Sequence, residues 1–248
     1  QLRENAWPPS ILTEGPLCRA AALNTAYAAL SQTSRHGPVR YTMLTNPLPA
    51  DTPHRLQICH PAWNKLVAWK AYLRTRMQVG EWALFMDSDA FIAEPDMPLP
   101  LFIDELVRRH VGPSPSIILT NDSKVDPHNL NTGVVLLRKT KESVLAIDEL
   151  ATASLGTCRD ICRRYPWEQG CARRLHSRKK TAWRAATSGV ATKTMNGPYG
   201  RFVRHFVSWG RGEAMPLIDF FLPSYGMDTV AALHRVLKST THVSASAL

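Results

Sequence analysis

The stretch WALFMDSDAFI, residues 82–92, decides the fold expected for this chain. Its first five residues are continuously apolar, which is typical of a strand buried on both faces of a sheet. The strand stops at Asp87-Ser88-Asp89, and Ala90-Phe91-Ile92 then resumes the apolar run. Because ligands bind beyond the carboxyl ends of strands in open α/β sheets, the two aspartates stand where a functional group is expected.

Asp87 and Asp89 together predict a divalent metal site. Two carboxylates held between apolar runs repel each other unless a cation lies between them. Mn²⁺ and Mg²⁺ prefer oxygen ligands, and such an ion can bridge a diphosphate and neutralise the charge of a leaving group. A bare Asp-x-Asp also fits a pair of solvated loop acids, so the metal hypothesis depends on the apolar runs on either side.

Elements on both sides of this stretch predict an alternation of strands and helices. Residues 11–13 and 39–44 are strand-like, and residues 17–34 between them carry apolar side chains at helical spacing. A strand–helix–strand unit of this kind indicates a parallel sheet. Beyond residue 177 the periodicity weakens. The later pattern predicts helices at 61–79, 100–109, 141–153 and 166–176, and strands at 116–120, 132–138 and 202–209.

The size of the chain favours one large α/β domain. It has 248 residues, of which 44% are hydrophobic and 20% charged, as in an ordinary globular protein. We expect a single catalytic domain over 11–238, an extended lead-in over 1–10 and a flexible tail over 239–248. No stretch approaches the roughly 20 apolar residues of a membrane span. Membrane association is expected only through an anchor outside this sequence.

The net charge of +10 favours anionic partners. Basic side chains concentrate between residues 163 and 184, where Glu168 is the lone acid. This segment either draws in a phosphate-bearing ligand or forms a solvated basic face. No zinc-finger spacing or ribonucleoprotein motif is present, so a nucleic-acid partner is not expected.

The cysteine count is odd, so at least one cysteine is unpaired within the chain. Two of them, Cys158 and Cys162, are spaced for one turn of a helix. A zinc site would need closer pairs and histidines, so zinc is not expected. The pairing and the redox compartment stay open. The five cysteines are Cys18, Cys59, Cys158, Cys162 and Cys171.

Five motifs, taken in order over about residues 20–210, resemble those of one enzyme family. They are HPAWNKL (60–66), MDSDAFI (86–92, preceded by Glu81-Trp82), NTGVVLLR (131–138), YPWEQ (165–169) and FVRHF (202–206). Their order is similar to that of GT-A-fold glycosyltransferases, specifically the galactosyl/xylosyltransferases called glycosyltransferase family 34. The resemblance implies a Rossmann-like α/β fold with a mostly parallel central sheet flanked by helices.

The resemblance also implies an activity. Members transfer a hexose or pentose from a UDP-sugar, with Mn²⁺ or Mg²⁺ as cofactor and with retention of anomeric configuration. The acceptor would be a glycan, a glycoprotein or another hydroxyl compound. The implied location is the Golgi or the secretory lumen.

The family resemblance assigns roles position by position. Asp87 and Asp89 would bind the metal, with His205 as third ligand, although a packed strand histidine is the alternative for His205. Glu168 and Gln169 would face the reacting sugar carbon, in the first turn of a helix. There Glu168 could instead only offset the helix dipole.

Donor-binding roles fall on five further residues. Asn131 and Gly133 would lie near the donor sugar, because glycine allows a ligand to approach the backbone closely. A strand bulge is the alternative for Gly133. Lys65 would contact phosphate, or only cover its helix with its stem. Ser88, between the aspartates, and Arg211, in a glycine-flanked loop, complete the donor-binding set.

Departures from the family pattern keep other hypotheses open. Trp167 stands where the family often carries a second acid, and residues 207–210 lack the usual glycine- and cysteine-containing segment. Glu168 or Asp122 acting as a base would give inversion. A haloacid-dehalogenase-like phosphatase also uses Asp-x-Asp, although after its first strand. A catalytically inactive GT-A-fold binding or scaffold protein is the third hypothesis.

Overall fold

The computed structural model describes residues 20, 23–24, 27–28, 31, 59–111, 115–197 and 199–205. The chain divides into two compact units. Unit 1 comprises Gln1–Met43, Asp87–Ile103 and Asn196–Leu248, and unit 2 comprises Leu44–Met86 and Asp104–Met195. The expected lead-in, tail and first two strands lie outside the described residues. The single-domain assignment stays a prediction.

The described elements follow an α/β pattern. The helices are α1 (Asn64–Thr75), α2 (Leu99–Leu106), α3 (Lys141–Ala153), α4 (Trp167–Ser177), α5 (Ala182–Ala186) and α6 (Thr192–Met195). The strands are β1 (Trp82–Met86), β2 (Ala90–Ile92), β3 (Ile117–Asn121), β4 (Leu130–Arg138), β5 (Thr187–Ala191) and β6 (Val203–His205). A 3-10 turn, Pro61–Trp63, precedes α1, and a π-helical turn, Val107–Val111, follows α2.

Unit 2 contains a four-stranded sheet in the order β1-β4-β3-β5. β4 runs antiparallel to β1 and to β3, whereas β5 runs parallel to β3. Among the described strands the sheet is therefore mixed, where the sequence pattern predicts a mostly parallel one. The physical reason is the connection over residues 122–129, which is too short for the crossover that parallel strands need.

Burial within this sheet differs from the expectation for β1. Every residue of β1 is only partly buried, so the expected burial on both faces is wrong. β1 pairs with β4 alone among the described strands. The fully buried apolar runs are those of β3 and β4.

The core of unit 2 joins α1, α3 and α4 to the sheet. Trp63, Leu66 and Trp69 are buried beside Ile147 and Leu150 in one apolar cluster. Helix α3 has the bounds that its pattern predicts, because Thr140 and Ser143 form a reciprocal capping box at its start.

Two disulfides settle pairings that the sequence leaves open. Cys59 pairs with Cys162, and Cys158 pairs with Cys171. Both bridges lie in unit 2 and tie the segment before α4 to its surroundings. Cys18 lies outside the described residues.

Unit 1 contains a two-stranded antiparallel ribbon of β2 and β6. On the other edge of β2, the Asn24 amide donates to the Ala90 carbonyl and accepts the Ile92 N–H, each at 3.0 Å. The expected helix over 17–34 is represented by six described helical residues, all buried. Phe202 packs between Tyr27, edge-on at 6.0 Å, and Phe102, stacked at 4.1 Å.

The sequence pattern does not predict three short elements after residue 177. α5, β5 and α6 are each five residues or shorter, so none is long enough to show a period. In the part of the chain that the structure describes, no helix is both long and apolar enough to cross a bilayer.

Candidate functional site

The first candidate group lies in unit 1 and consists of Asp87, Asp89 and His205. Their ligand atoms all lie within 4.8 Å of one another. The His205 Nε2 atom is 3.0 Å from Asp89 Oδ1 and 4.0 Å from Asp87 Oδ2. The imidazole is buried, at 4% exposure, whereas the two carboxylates are 36% and 39% exposed. The group therefore has a buried base and an open acidic side.

A hydrogen-bond chain sets the tautomer of His205. Asn196, only 1% exposed, accepts the Gly197 N–H at its Oδ1 atom at 2.8 Å. The same oxygen lies 2.8 Å from His205 Nδ1, so Nδ1 must be the donor. In a neutral ring Nε2 then carries a lone pair.

This tautomer leaves two acceptors facing each other. A lone pair on Nε2 and the Asp89 carboxylate at 3.0 Å repel unless a proton or metal ion lies between them. Orientation of a ligating histidine by a hydrogen bond to its other ring nitrogen is the usual outer arrangement of a metal site. The group therefore suits a cation.

Local pairing brings these residues together. Ala90 pairs with His205 in the β2–β6 ribbon, and the Ala90 N–H closes a turn onto the Asp87 carbonyl at 3.0 Å. Gly200 allows the segment before β6 to fold tightly, since a Cβ there would overlap the carbonyl oxygen of Val203. Ser88 is exposed within the turn.

The second candidate group lies in unit 2 around Glu168. This side chain is 3% exposed. Its Oε1 atom accepts the Thr132 hydroxyl at 2.9 Å and pairs with Lys65 Nζ at 3.0 Å. Its Oε2 atom is buried without a hydrogen-bond partner among the described residues. The Gln169 amide oxygen accepts the Thr132 N–H at 3.1 Å, so Thr132 is held from both sides.

A bulge in β4 positions Thr132. Leu119 pairs with Val135, but the next residue, Thr120, pairs with Asn131, so residues 132–134 bulge out of the β3–β4 ladder. Such bulges redirect side chains and are frequent beside active sites. Gly133 lies in this bulge, as its structural alternative predicts, and donates its N–H to Asn131 Oδ1 at 2.8 Å.

Asn131 and Asp122 form a further layer of the second group. The Asn131 amide donates to Asp122 Oδ2 at 3.0 Å, and Arg173 reaches the same oxygen at 3.4 Å. Arg173 also donates to the Leu130 carbonyl at 2.9 Å. Asp122 is therefore engaged by two donors.

Trp167, immediately before Glu168, has an unusual backbone. Its φ is +50°, a left-handed conformation that costs an L-residue about 1–2 kcal/mol. Its ring stacks on His60 at 3.7 Å between centroids and 5° between planes. Bulky residues persist in this conformation only where the surroundings over-determine it, which is common at functional sites.

The predicted site residues thus divide between the two units. Asp87, Asp89, His205 and Ser88 belong to unit 1, and Lys65, Asn131, Gly133, Glu168 and Gln169 belong to unit 2. Lys65 pairs with Glu168, a contact that its sequence position does not reveal. Arg211 lies outside the described residues. Sequence reasoning missed Asn196 and Thr132, because a buried orienting residue carries no local signal.

Comparison with known proteins gives a structural likeness. No family model matches the chain, and no curated protein matches it. A solved structure that is similar is a glycosyltransferase involved in the glycosylation of the major capsid of PBCV-1. It aligns with a TM-score of 0.55 and 14% identity, over 83% of this chain and 92% of the other.

The chain shares the fold of this glycosyltransferase. The α/β class expected from the sequence is thereby confirmed. Membership of glycosyltransferase family 34 stays a resemblance of motifs. The phosphatase hypothesis gains nothing from this fold.

Proposed function

We propose that this protein is a metal-dependent glycosyltransferase that moves a hexose or pentose from a UDP-sugar to a glycan, glycoprotein or other hydroxyl acceptor. One observation carries the proposal: ligand atoms of Asp87, Asp89 and His205 lie within 4.8 Å of one another and suit a divalent cation. The fold shared with a known glycosyltransferase supports the same conclusion.

The donor set of Asp87, Asp89 and His205 fits Mn²⁺ or Mg²⁺. Two carboxylates suit a hard cation, and one imidazole is acceptable to Mn²⁺ in particular. When bound, such an ion would neutralise charge on the departing diphosphate. The exposed sides of Asp87 and Asp89 leave room for the phosphate oxygens and for water.

Glu168 and Gln169 are the proposed catalytic pair. Glu168 is buried and negatively charged beside Lys65, and its Oε2 atom has a lone pair not used by any described residue. Attack by Glu168 on the sugar carbon would displace UDP and form a glycosyl ester, and attack of the acceptor hydroxyl on that ester would then release the Glu168 carboxylate. Two displacements retain the anomeric configuration. If Glu168 instead took the proton of the acceptor hydroxyl, the product would be inverted, so the anomer of the product decides between the two.

The remaining donor-binding roles follow the same proposal. Asn131 and Gly133 would contact the donor sugar, Ser88 and Arg211 the diphosphate. The positive charge of Lys65 would attract the phosphate groups of the donor, while its ammonium group pairs with Glu168.

We also propose a secretory location, with the Golgi as the expected compartment. Support comes from the disulfides Cys59–Cys162 and Cys158–Cys171. Bridges of this kind form and persist in oxidising compartments.

Calorimetric titration with UDP and Mn²⁺ tests the proposal. We expect UDP to bind the wild type only when Mn²⁺ is present, and we expect Asp89→Ala to abolish this binding. Asp96→Ala is the matched control, since Asp96 is an exposed aspartate of the same unit outside the cation group. UDP binding that ignores both Mn²⁺ and Asp89→Ala would contradict the proposal.

A non-catalytic binding protein is the second candidate. The observation that favours it is the closed state of Glu168, whose Oε1 atom is occupied by both Thr132 and Lys65. Release of UDP from a UDP-sugar panel decides between them. Donor binding without any hydrolysis or transfer would favour the binding protein.

A further inference from the structure

The rings of Tyr165, Trp167 and His60 form a continuous aromatic group, and the first two belong to the segment just before Glu168. The Tyr165 ring meets Trp167 edge-on, at 5.2 Å between centroids and 87° between planes. Trp167 in turn lies flat on His60. Tyr165 is 71% exposed, so this aromatic group presents a large ring to solvent.

The covalent surroundings hold the aromatic group rigid. The Cys59–Cys162 disulfide links the residue before His60 to the segment before Tyr165. The His60 N–H also donates to the Cys162 carbonyl at 3.0 Å. Within the same segment, the Trp167 N–H donates to the Arg164 carbonyl at 2.7 Å. These links constrain the backbone on both sides of Tyr165, which reduces the conformational entropy that the segment loses when a ligand binds.

Two features argue against Tyr165 and Trp167 being surface residues without a function. Trp167 is kept in a left-handed backbone conformation, although a glycine or asparagine would adopt it at lower energy. The next residue is Glu168, which is buried and has one carboxylate oxygen without a described partner. The aromatic group is therefore joined by one peptide bond to the proposed catalytic carboxylate.

We propose that Tyr165, supported by Trp167 and His60, is a binding subsite for a neutral pyranose ring of the acceptor. This inference rests on the proposed glycosyltransferase function and names the class of acceptor group. The axial C–H bonds of a pyranose carry partial positive charge, and the face of a tyrosine ring is negative. The phenol adds a hydroxyl that can hydrogen-bond sugar hydroxyls.

Tyrosine is well suited to this role for an energetic reason. It supplies a large contact area with only two rotatable side-chain bonds, so little entropy is lost on binding. The contact to Trp167 orients the ring further. Binding through a single ring face is weak, as is appropriate for one sugar unit of a longer acceptor.

Saturation-transfer NMR with methyl glycosides of glucose, galactose, mannose and xylose tests the subsite. We expect transfer from the protein to the ring C–H protons of at least one glycoside in the wild type. Tyr165→Ala should raise the Kd about three- to tenfold, and Tyr165→Phe should retain binding because the ring face remains. Thermal unfolding of each variant checks that it is folded, which the exposure of Tyr165 favours.

Tyr199→Ala is a control with the same residue type and a similar exposure, since Tyr199 is 75% exposed. We expect this variant to bind the glycosides as the wild type does. The subsite is overturned if no glycoside receives saturation from the wild type. It is also overturned if Tyr165→Ala binds unchanged, or if Tyr199→Ala loses as much binding.

UDP titration in the presence of Mn²⁺ separates failure of this inference from failure of the proposed function. If wild type and Tyr165→Ala bind UDP equally but glycoside binding does not depend on Tyr165, the subsite fails and the glycosyltransferase proposal stands. If UDP does not bind while glycosides bind through Tyr165, the sugar site stands and the transferase proposal fails.

Discussion

The acidic groups of the two units are partnered in opposite ways. Glu168, in unit 2, has a protein cation of its own, because Lys65 Nζ lies 3.0 Å from its Oε1 atom. Asp89, in unit 1, faces a histidine nitrogen that Asn196 has left without a proton in the neutral ring. The first carboxylate is paired with a cation of the chain itself, and the second belongs to a group whose atoms suit a metal ion.

Exposure explains why the difference is physically reasonable. Glu168 is almost fully buried, and a buried charge without a partner costs several kcal/mol. Asp87 and Asp89 are more than a third exposed, so water can stabilise their charges. A site that must take up a ligand stays open, whereas a carboxylate kept dry needs its own cation.

The histidines of the two units show the same contrast. His205, in unit 1, has its Nε2 atom 3.0 Å from Asp89 and 4.0 Å from Asp87. His176, in unit 2, lies 2.9 Å from His128. Burial, with help from His128 and Arg184, lowers the pKa of His176 to about 4. The His205 nitrogen therefore faces carboxylates, whereas the His176 nitrogen faces another imidazole.

The largest effect is expected from Glu168→Gln. Loss of the charged oxygen should reduce the transfer rate about 10²- to 10⁴-fold. UDP–Mn²⁺ affinity should not change, because the cation group belongs to unit 1. Steady-state kinetics and calorimetry measure the two effects, with Glu142→Gln as an exposed control. Joint loss of catalysis and of UDP binding would break the division of roles between the units.

Lys65→Met should give the next largest effect. It leaves Glu168 buried without its cation, which should lower the free energy of unfolding by about 3–5 kcal/mol. Lys70→Met is a matched control on the same helix, because the Lys70–Asp148 pair is about one-third exposed on both sides and should contribute less than about 1 kcal/mol. Urea unfolding compares them. Equal losses of unfolding free energy in the two variants would show that the buried Lys65–Glu168 pair contributes no more to stability than the exposed Lys70–Asp148 pair.

Asn196→Ala tests the orientation of His205. Removal of the acceptor for the Nδ1 proton should weaken Mn²⁺ binding about 10- to 100-fold. Asn196→Asp retains an acceptor at this position and should keep most of the affinity. Calorimetric titration with Mn²⁺ measures the affinity of both variants. An unchanged affinity in Asn196→Ala would show that Asn196 does not orient His205 for metal binding.

The smallest effect concerns His176 and pH. Its folded-state pKa of about 4 lies below the ordinary value of 6.5, so the unfolded chain binds the proton more readily. The stability is therefore complete above about pH 6.5 and is lost as pH falls towards 4. Because the ring is only half-buried, the loss should be about 1 kcal/mol.

Urea midpoints at pH 7.5 and pH 4.5 measure this loss. His176→Gln should flatten the dependence relative to the wild type. His128→Gln keeps the burial of His176 and should therefore keep part of the dependence. An identical pH dependence of the urea midpoint in wild type and His176→Gln would show that protonation of His176 does not affect stability.

Much of the fold could be read from the sequence where a pattern is long. The helix over 141–153 was predictable to the residue, because an apolar face and the Thr140 cap agree. Antiparallel pairing of β4 with β1 was not, since strand direction depends on connections that periodicity does not reveal. β5 was missed because the TSGVA segment has no alternation long enough to detect.

The candidate site shows a similar division. Asp87 and Asp89 are recognisable because carboxylates interrupt an apolar run, and His205 follows from the family resemblance alone. The geometry around these residues is not visible in the sequence. Asn196 and Thr132 are ordinary polar residues until their hydrogen bonds to His205 and Glu168 are known.

The sequence by itself determined the α/β class, the acidic interruption at residues 87–89 and the position of Glu168 at the start of a helix. These depend on local composition and short-range periodicity. Only the tertiary structure decided which group each carboxylate faces, because that depends on contacts between residues about a hundred positions apart. The 3.0 Å pairs Lys65–Glu168 and Asp89–His205 are of this kind, and their electrostatic energy depends on a separation that sequence positions do not reveal.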